Sequence, residues 1–134
     1  MPRDEPVVFF VDASLGRHIV PGALRDAGFE VVVHDDRFEP GTPDAEWLAE
    51  AGRLRWVVLT KDKRIRYRTS ELLALRRANV AAFVLTGKNL TGQELADQLR
   101  AALPRILRVL QTKRPPFIAT VGANGRVTIL TVAR

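Results

Sequence analysis

The fold is decided by the stretch Val7-Val-Phe-Phe-Val-Asp12, five consecutive apolar residues closed by an acid. The five are β-branched or aromatic, a pattern typical of a strand buried on both faces. Similar stretches recur at Glu30–Val33, Trp56–Leu59 and Val80–Leu85. Segments with helical patterns separate them, so the sequence predicts an α/β fold: a central, mainly parallel sheet flanked by helices on both faces.

Capping residues and helix breakers predict four helices. The first runs from Ser14, as N-cap, to about Asp26, and Pro21 should kink or restart it. The second has Thr42 as N-cap and Pro43 as its first residue. The second helix ends at about Gly52, and the third runs from about Ser70 to Ala78. The fourth begins at the capping box Thr91-Gly-Gln-Glu94 and runs to about Thr112, with a bend at Pro104.

The C-terminal segment predicts a β-hairpin. The strands Phe117–Val121 and Arg126–Val132 flank Asn124-Gly125, a strong signal for a two-residue turn. The hairpin could extend the same sheet or pair across a homodimer, and the sequence leaves both open. We expect one domain over residues 1–134, with an α/β core over 1–112 and a hairpin extension over 113–134.

Composition narrows the class of protein. The 134 residues include no cysteine, which excludes disulfides, zinc knuckles, iron–sulfur sites and a cysteine nucleophile. The apolar runs are too short to span a bilayer, and the N-terminus carries acids and prolines instead of a signal-peptide pattern. We therefore expect a cytoplasmic globular protein with no membrane partner.

Charge is distributed unevenly along the chain. Residues 1–60 hold 6 basic and 11 acidic side chains, a net charge of −5, whereas residues 61–134 hold 15 basic and 4 acidic, a net charge of +11. A basic half indicates a polyanionic partner such as nucleic acid. An acidic half that holds cations beside a basic half is what a metal-dependent nuclease needs; an ordinary basic surface is the alternative.

Acidic residues follow three of the predicted strands. Asp12 closes the first, Asp35 and Asp36 follow the second, and Asp62 follows the third. Because the carboxyl ends of parallel strands meet at one edge of the sheet, where α/β proteins build their sites, these carboxylates should lie close together. Clustered carboxylates repel unless a cation lies between them.

The second helix adds a fourth acid. Residues 44, 47, 48 and 51 form one stripe by helical spacing, and the last three are apolar, so Asp44 should face the sheet in the first turn. Glu46 and Glu50 lie on the opposite stripe with Arg53, the usual pattern of a solvated face. His34 is expected to be structural, and Thr60 to orient Asp62 through its hydroxyl group.

A basic segment, Lys61-Asp-Lys-Arg-Ile-Arg-Tyr-Arg68, surrounds Asp62 with five positive charges and one tyrosine. Arginine can bind a phosphate through two hydrogen bonds, and tyrosine can stack on a base. The candidate substrate-binding residues are Lys61, Lys63, Arg64, Arg66, Tyr67 and Arg68.

The stretch from Phe9 to Arg64 resembles the PIN-like domains, and more closely their VapC-type toxin ribonucleases. The matching motifs are Phe9-Phe-Val-Asp12, Ala27-Gly-Phe-Glu-Val-Val-Val-His-Asp-Asp36, Pro43-Asp-Ala-Glu-Trp-Leu48 and Val57-Val-Leu-Thr-Lys-Asp-Lys-Arg64. They keep the family's order and spacing, whereas the tail from Lys113 has no counterpart.

The resemblance implies a nuclease in which carboxylates hold Mg²⁺ or Mn²⁺ and hydrolyse RNA. It identifies Asp12, Asp44 and Asp62 as catalytic metal ligands, with Glu46 and Asp36 as further ligands. Only Glu71 could supply the additional acid that many members carry, so the resemblance leaves open whether one or two metals bind. It also implies a toxin with a cognate antitoxin protein as partner.

Two other functions fit the same residues. In a non-catalytic RNA-binding or partner-binding module, the acids would be turn residues. A response-regulator receiver fits less well, because Thr60, Lys61 and Asp62 are contiguous, whereas a receiver places its phosphoacceptor aspartate and its lysine on separate strand ends. The sequence has no P-loop, dinucleotide fingerprint, zinc-protease motif or nucleophile elbow.

Overall fold

The computed structural model describes residues 6–63, 65 and 69–130. Strands and helices follow one another along this part of the chain. The strands are β1 (Val8–Val11), β2 (Glu30–Val33), β3 (Val57–Thr60), β4 (Ala81–Leu85), β5 (Phe117–Val121) and β6 (Val127–Leu130). The helices are α1 (Ile19–Asp26), α2 (His34–Arg37), α3 (Asp44–Arg53), α4 (Thr69–Ala78) and α5 (Gly92–Thr112).

The strands form one six-stranded sheet in the order β2-β1-β3-β4-β5-β6. All neighbours pair in parallel except β5 and β6, which are antiparallel. The predicted mainly parallel α/β fold with a C-terminal hairpin is therefore confirmed. The hairpin also extends its own sheet, because β5 pairs with β4. This removes the reason for expecting the hairpin to pair across a homodimer, and the homodimer stays a prediction.

Each face of the sheet has its own hydrophobic core. Phe9 and Val11 point to the face covered by α1 and α5, whereas Phe10 between them points to the face covered by α3 and α4. Because both faces are buried, neither set of alternating side chains can be polar. This explains why the stretch that decides the fold is apolar at every position.

The predicted first helix is wrong at its start. Ser14 lies in a 3-10 turn (Ala13–Leu15), and α1 begins only at Ile19. Gly16 interrupts the helical path because its φ of 82° is left-handed. Pro21 lies within the first turn of α1, where its missing N–H has no helical partner to lose, so the helix restarts just before it.

The other predicted bounds shift by a residue or a turn. Helix α3 begins at Asp44, with Pro43 as its N-cap. The capping box of Thr91 and Glu94 is present, and α5 continues through Pro104. The hairpin loop is a 3-10 turn (Ala123–Gly125), longer than the predicted two-residue turn.

Helices α3 and α4 approach each other closely at one point. A Cβ atom on Gly52 would lie 1.9 Å from the carbonyl oxygen of Ala78, so only glycine allows this approach. The contact fixes α4 against α3 on one face of the sheet. No helix within residues 6–63 and 69–130 is both long and apolar enough to cross a membrane.

Candidate active site

The carboxylate of Asp12 is held by two hydroxyl groups at the carboxyl end of β1. Thr60 Oγ1 donates a hydrogen bond to Asp12 Oδ2 at 2.7 Å, and Ser14 Oγ donates to the same oxygen at 2.8 Å. The two hydroxyl oxygens lie 3.2 Å apart. In the described part of the chain no hydrogen bond reaches Asp12 Oδ1, so one oxygen is fixed while the other keeps its capacity as a ligand.

Thr60 also connects Asp12 to Asp62. Because Val11 and Leu59 are opposite each other in the β1–β3 register, Asp12 and Thr60 come next to each other at the sheet edge. The backbone N–H of Asp62 donates to Thr60 Oγ1 at 3.0 Å. Thr60 is only 1% exposed. The hydroxyl expected to orient Asp62 therefore contacts its backbone N–H and donates to the carboxylate of Asp12.

Asp44 lies in the first turn of α3, where its carboxylate is held by a tryptophan. Trp47 Nε1 donates to Asp44 Oδ1 at 2.9 Å. Trp47, Leu48 and Ala51 are buried, which confirms the predicted inward stripe, and Asp44 is half-buried at its start. Glu46 is exposed on α3, as its position on the opposite stripe predicted.

The acids after β2 make local contacts. Asp36 forms an ion pair with Arg17, with Arg17 Nη2 to Asp36 Oδ1 at 2.6 Å. Asp35 Oδ1 lies 2.8 Å from Nδ1 of His34. His34 is buried against Phe10. The histidine thus packs in the core, as expected, and Asp36 is engaged by a cation of this chain.

The structure links some of the predicted ligands but does not gather all of them. Asp12 and Asp62 share Thr60, whereas Asp44, Glu46 and Asp36 make no hydrogen bond to that pair among the described residues. Within the same residues, no group of three or more acids and histidines lies close enough to hold a metal ion together. The candidate ligand set thus stays a prediction.

Only part of the basic segment lies within the described residues. Lys61 and Lys63 are exposed directly beside Asp62, and the backbone N–H of Lys61 donates to Ser14 Oγ at 3.2 Å. The candidate residues Arg64, Arg66, Tyr67 and Arg68 lie outside the described residues. Glu71 is half-buried in the first turn of α4.

Three residues at this edge were missed from the sequence. Ser14 was assigned to a helix cap, Trp47 only to the apolar stripe, and Arg17 to no role. The sequence offered two signals: the hydroxyl of Ser14 comes two residues after Asp12, and the indole of Trp47 comes three residues after Asp44. The sequence held no signal for the pairing of Arg17 with an acid 19 positions away.

Comparison with known proteins identifies the family. The sequence profile described as "PIN like domain" matches residues 7–87, more than half of the chain, including β1, β3, α3 and the candidate ligands. The chain belongs to the PIN-like domain family. The resemblance seen in the four motifs is thereby confirmed.

A relative of this PIN-like domain carries a functional name. The chain is 29% identical over 125 residues to the "Putative ribonuclease VapC45" of Mycobacterium tuberculosis (strain ATCC 25618 / H37Rv), and the match covers 90% of each protein. No solved structure is significantly similar to the chain. At that coverage the match includes at least part of the C-terminal segment, for which the motifs gave no counterpart.

PIN ribonucleases generally use a divalent metal ion, and the donors of this PIN-like domain suit one. Asp12, Asp44 and Asp62 offer carboxylate oxygens, the ligands that hard divalent cations prefer. One oxygen of Asp12 and one of Asp44 are fixed by hydrogen bonds. Because Mg²⁺ usually keeps several waters as ligands, the acids need not form a complete group before the ion binds.

Proposed function

We propose that this PIN-like domain is a divalent-metal-dependent ribonuclease that hydrolyses RNA phosphodiester bonds. The observation that carries the proposal is the connection of Asp12, Thr60 and Asp62 at the carboxyl ends of β1 and β3. It lies within the region matched by the family profile, and the relative named as a ribonuclease covers 90% of the chain.

Asp12, Asp44 and Asp62 hold the metal ion in this proposal, with Glu46 and Asp36 as further ligands. When bound, Mg²⁺ or Mn²⁺ polarises the scissile phosphate and activates water near neutral pH. Ser14 and Thr60 keep Asp12 Oδ2 in place by donating hydrogen bonds. Asp36 must exchange its ion pair with Arg17 for the metal if it takes part.

The basic segment binds the RNA backbone. Lys61 and Lys63 are exposed on either side of Asp62 in sequence, so a phosphate contacted by their ammonium groups comes close to the acids. Phosphate contacts give affinity and position without reading sequence. Arg64, Arg66, Tyr67 and Arg68 are proposed to continue this surface.

We further propose that the protein is the toxin of a type II toxin–antitoxin pair. The support is the name of the relative, VapC45. A cognate antitoxin inhibits by burying the acidic edge or by placing a basic side chain against Asp12 and Asp62. A structure of the complex with that edge open to solvent would contradict this. We also propose that the protein acts in the cytoplasm.

The deciding experiment is cleavage of a mixed RNA pool with Mg²⁺, with Mn²⁺ and with EDTA. Asp12→Asn and Asp62→Asn remove charge with little change of shape, and both should abolish metal-dependent cleavage. Asp26→Asn, an exposed aspartate at the end of α1, is the matched control and should cleave like the parent chain. Glu46→Gln and Asp36→Asn test the two further ligands.

RNA binding measured on the same variants distinguishes the alternative. If the parent chain binds the pool without cleaving it, and Asp12→Asn and Asp62→Asn bind equally well, the protein is a non-catalytic RNA-binding module. Cleavage that persists in EDTA, or in both variants, would refute the metal-dependent mechanism.

A further inference from the structure

Trp47 combines a buried ring with a polar contact at the acidic edge. Its side chain is 4% exposed, yet Nε1 donates to a carboxylate oxygen of Asp44. The two residues are three positions apart on α3 and therefore lie on one helix face. A buried indole N–H requires an acceptor, and here the acceptor is a candidate metal ligand.

The indole ring is fixed from the side of the sheet. Trp47 stacks on Phe10 with ring centroids 5.2 Å apart and an interplanar angle of 25°. Phe10 belongs to β1 and precedes Asp12 by two residues. His34 meets the same indole edge-on at 6.2 Å. One rigid side chain thus connects the strand that ends at Asp12 to the carboxylate of Asp44.

We propose that Trp47 is a positioning residue that holds Asp44 for the metal ion, an inference that rests on the proposed function. The N–H fixes Oδ1, so the carboxylate does not rotate freely and Oδ2 is presented in one orientation. Without the N–H, Asp44 would have to be ordered when the ion binds. Hydrogen-bond partners of metal ligands typically contribute about 10–100-fold to metal affinity or activity.

The chain contains a matched control for this contact. Trp56 stacks on the same Phe10 ring, with centroids 5.4 Å apart and an interplanar angle of 3°, and is 8% exposed. Within the described residues its indole N–H makes no hydrogen bond. Trp47→Phe and Trp56→Phe both replace an indole stacked on Phe10, but only the first removes a donor to Asp44.

The first measurement is the affinity of the full chain for Mn²⁺ alone, by isothermal titration. Trp47→Phe should weaken binding about 10-fold, and Trp56→Phe should stay within about twofold. In an Asp44→Ala background Trp47→Phe should have no further effect, because the carboxylate that accepts the indole N–H is then absent. Equal losses in the two tryptophan variants, or no Mn²⁺ binding by the parent chain, would overturn the proposal.

The second measurement needs no substitution at Trp47 itself. The chain has two tryptophans and therefore two indole N–H resonances, which Trp56→Phe assigns. On titration with Mg²⁺ the Trp47 resonance should shift and the Trp56 resonance should not. Shifts of neither or of both equally would overturn the proposal. If Mg²⁺ moves only Trp47 while no RNA is cleaved, the positioning role stands and the ribonuclease function fails.

Discussion

Replacing Thr60 by valine removes one hydroxyl group and keeps the side-chain shape. Thr60 is 1% exposed, and its hydroxyl donates to the carboxylate of Asp12 and accepts the N–H of Asp62. Water therefore cannot replace it at its own position. We expect the substitution to destabilise the folded protein because a buried cross-strand link is lost between β1 and β3.

The magnitude follows from the two bonds. A hydrogen bond to a charged group contributes about 1.5–3 kcal/mol, and a neutral one about 0.5–1.5 kcal/mol. Asp62 is half-buried, so water partly satisfies its N–H, and Ser14 still donates to Asp12 Oδ2. We expect a loss of about 2 kcal/mol in the free energy of unfolding, which lowers Tm by about 8 °C for a chain of this size.

Urea denaturation followed by tryptophan fluorescence measures this change. Thr128→Val is the matched control, because Thr128 is exposed on β6, and it should alter the free energy of unfolding by less than about 0.5 kcal/mol. In an Asp12→Asn background the cost of Thr60→Val should fall by about half, since the acceptor is then neutral. A cost below about 0.5 kcal/mol in the parent chain would refute the reasoning.

Two further predictions test a helix contact and the basic segment. Gly52→Ala would place a Cβ atom 1.9 Å from the carbonyl oxygen of Ala78. Urea denaturation should show a loss of about 3 kcal/mol in the free energy of unfolding. Gly22→Ala in α1, where no atom lies within 4 Å of the new Cβ, should instead raise the free energy of unfolding by about 0.5 kcal/mol. Similar effects of the two substitutions would contradict the close contact. Lys63→Gln should reduce the slope of log affinity for RNA against log salt concentration by about 0.7, but Lys113→Gln, at the end of α5, should not. An unchanged slope for Lys63→Gln would remove that lysine from the RNA-binding surface.

The sequence predicted the architecture because a strand buried on both faces is marked by a continuous run of apolar residues. The runs Val7–Val11 and Trp56–Leu59 are apolar at every position, the pattern typical of strands covered on both faces. The capping box at Thr91 is equally local, since both of its hydrogen bonds join residues three positions apart. These features needed no knowledge of the rest of the chain.

The wrong start of the first helix came from two competing local signals, a cap residue at Ser14 and a glycine at position 16. Ser14 follows a strand and precedes an apolar stretch, so it looks like a helix cap. Gly16 ends that path after one 3-10 turn, and the freed hydroxyl donates to Asp12. The serine thus belongs to the candidate site: its hydroxyl donates to Asp12 and accepts the backbone N–H of Lys61, whereas a cap hydroxyl would accept a backbone N–H of its own helix.

By itself, the sequence determined that acids would follow parallel strands at one edge and that Asp44 would face the sheet. Both follow from periodicity and strand ends, which depend on neighbouring residues. Only the tertiary structure decided that Thr60 holds Asp12, 48 positions away, that Arg17 pairs with Asp36, and that β5 lies beside β4. Strand order and register bring these residues together, and no local pattern encodes order or register.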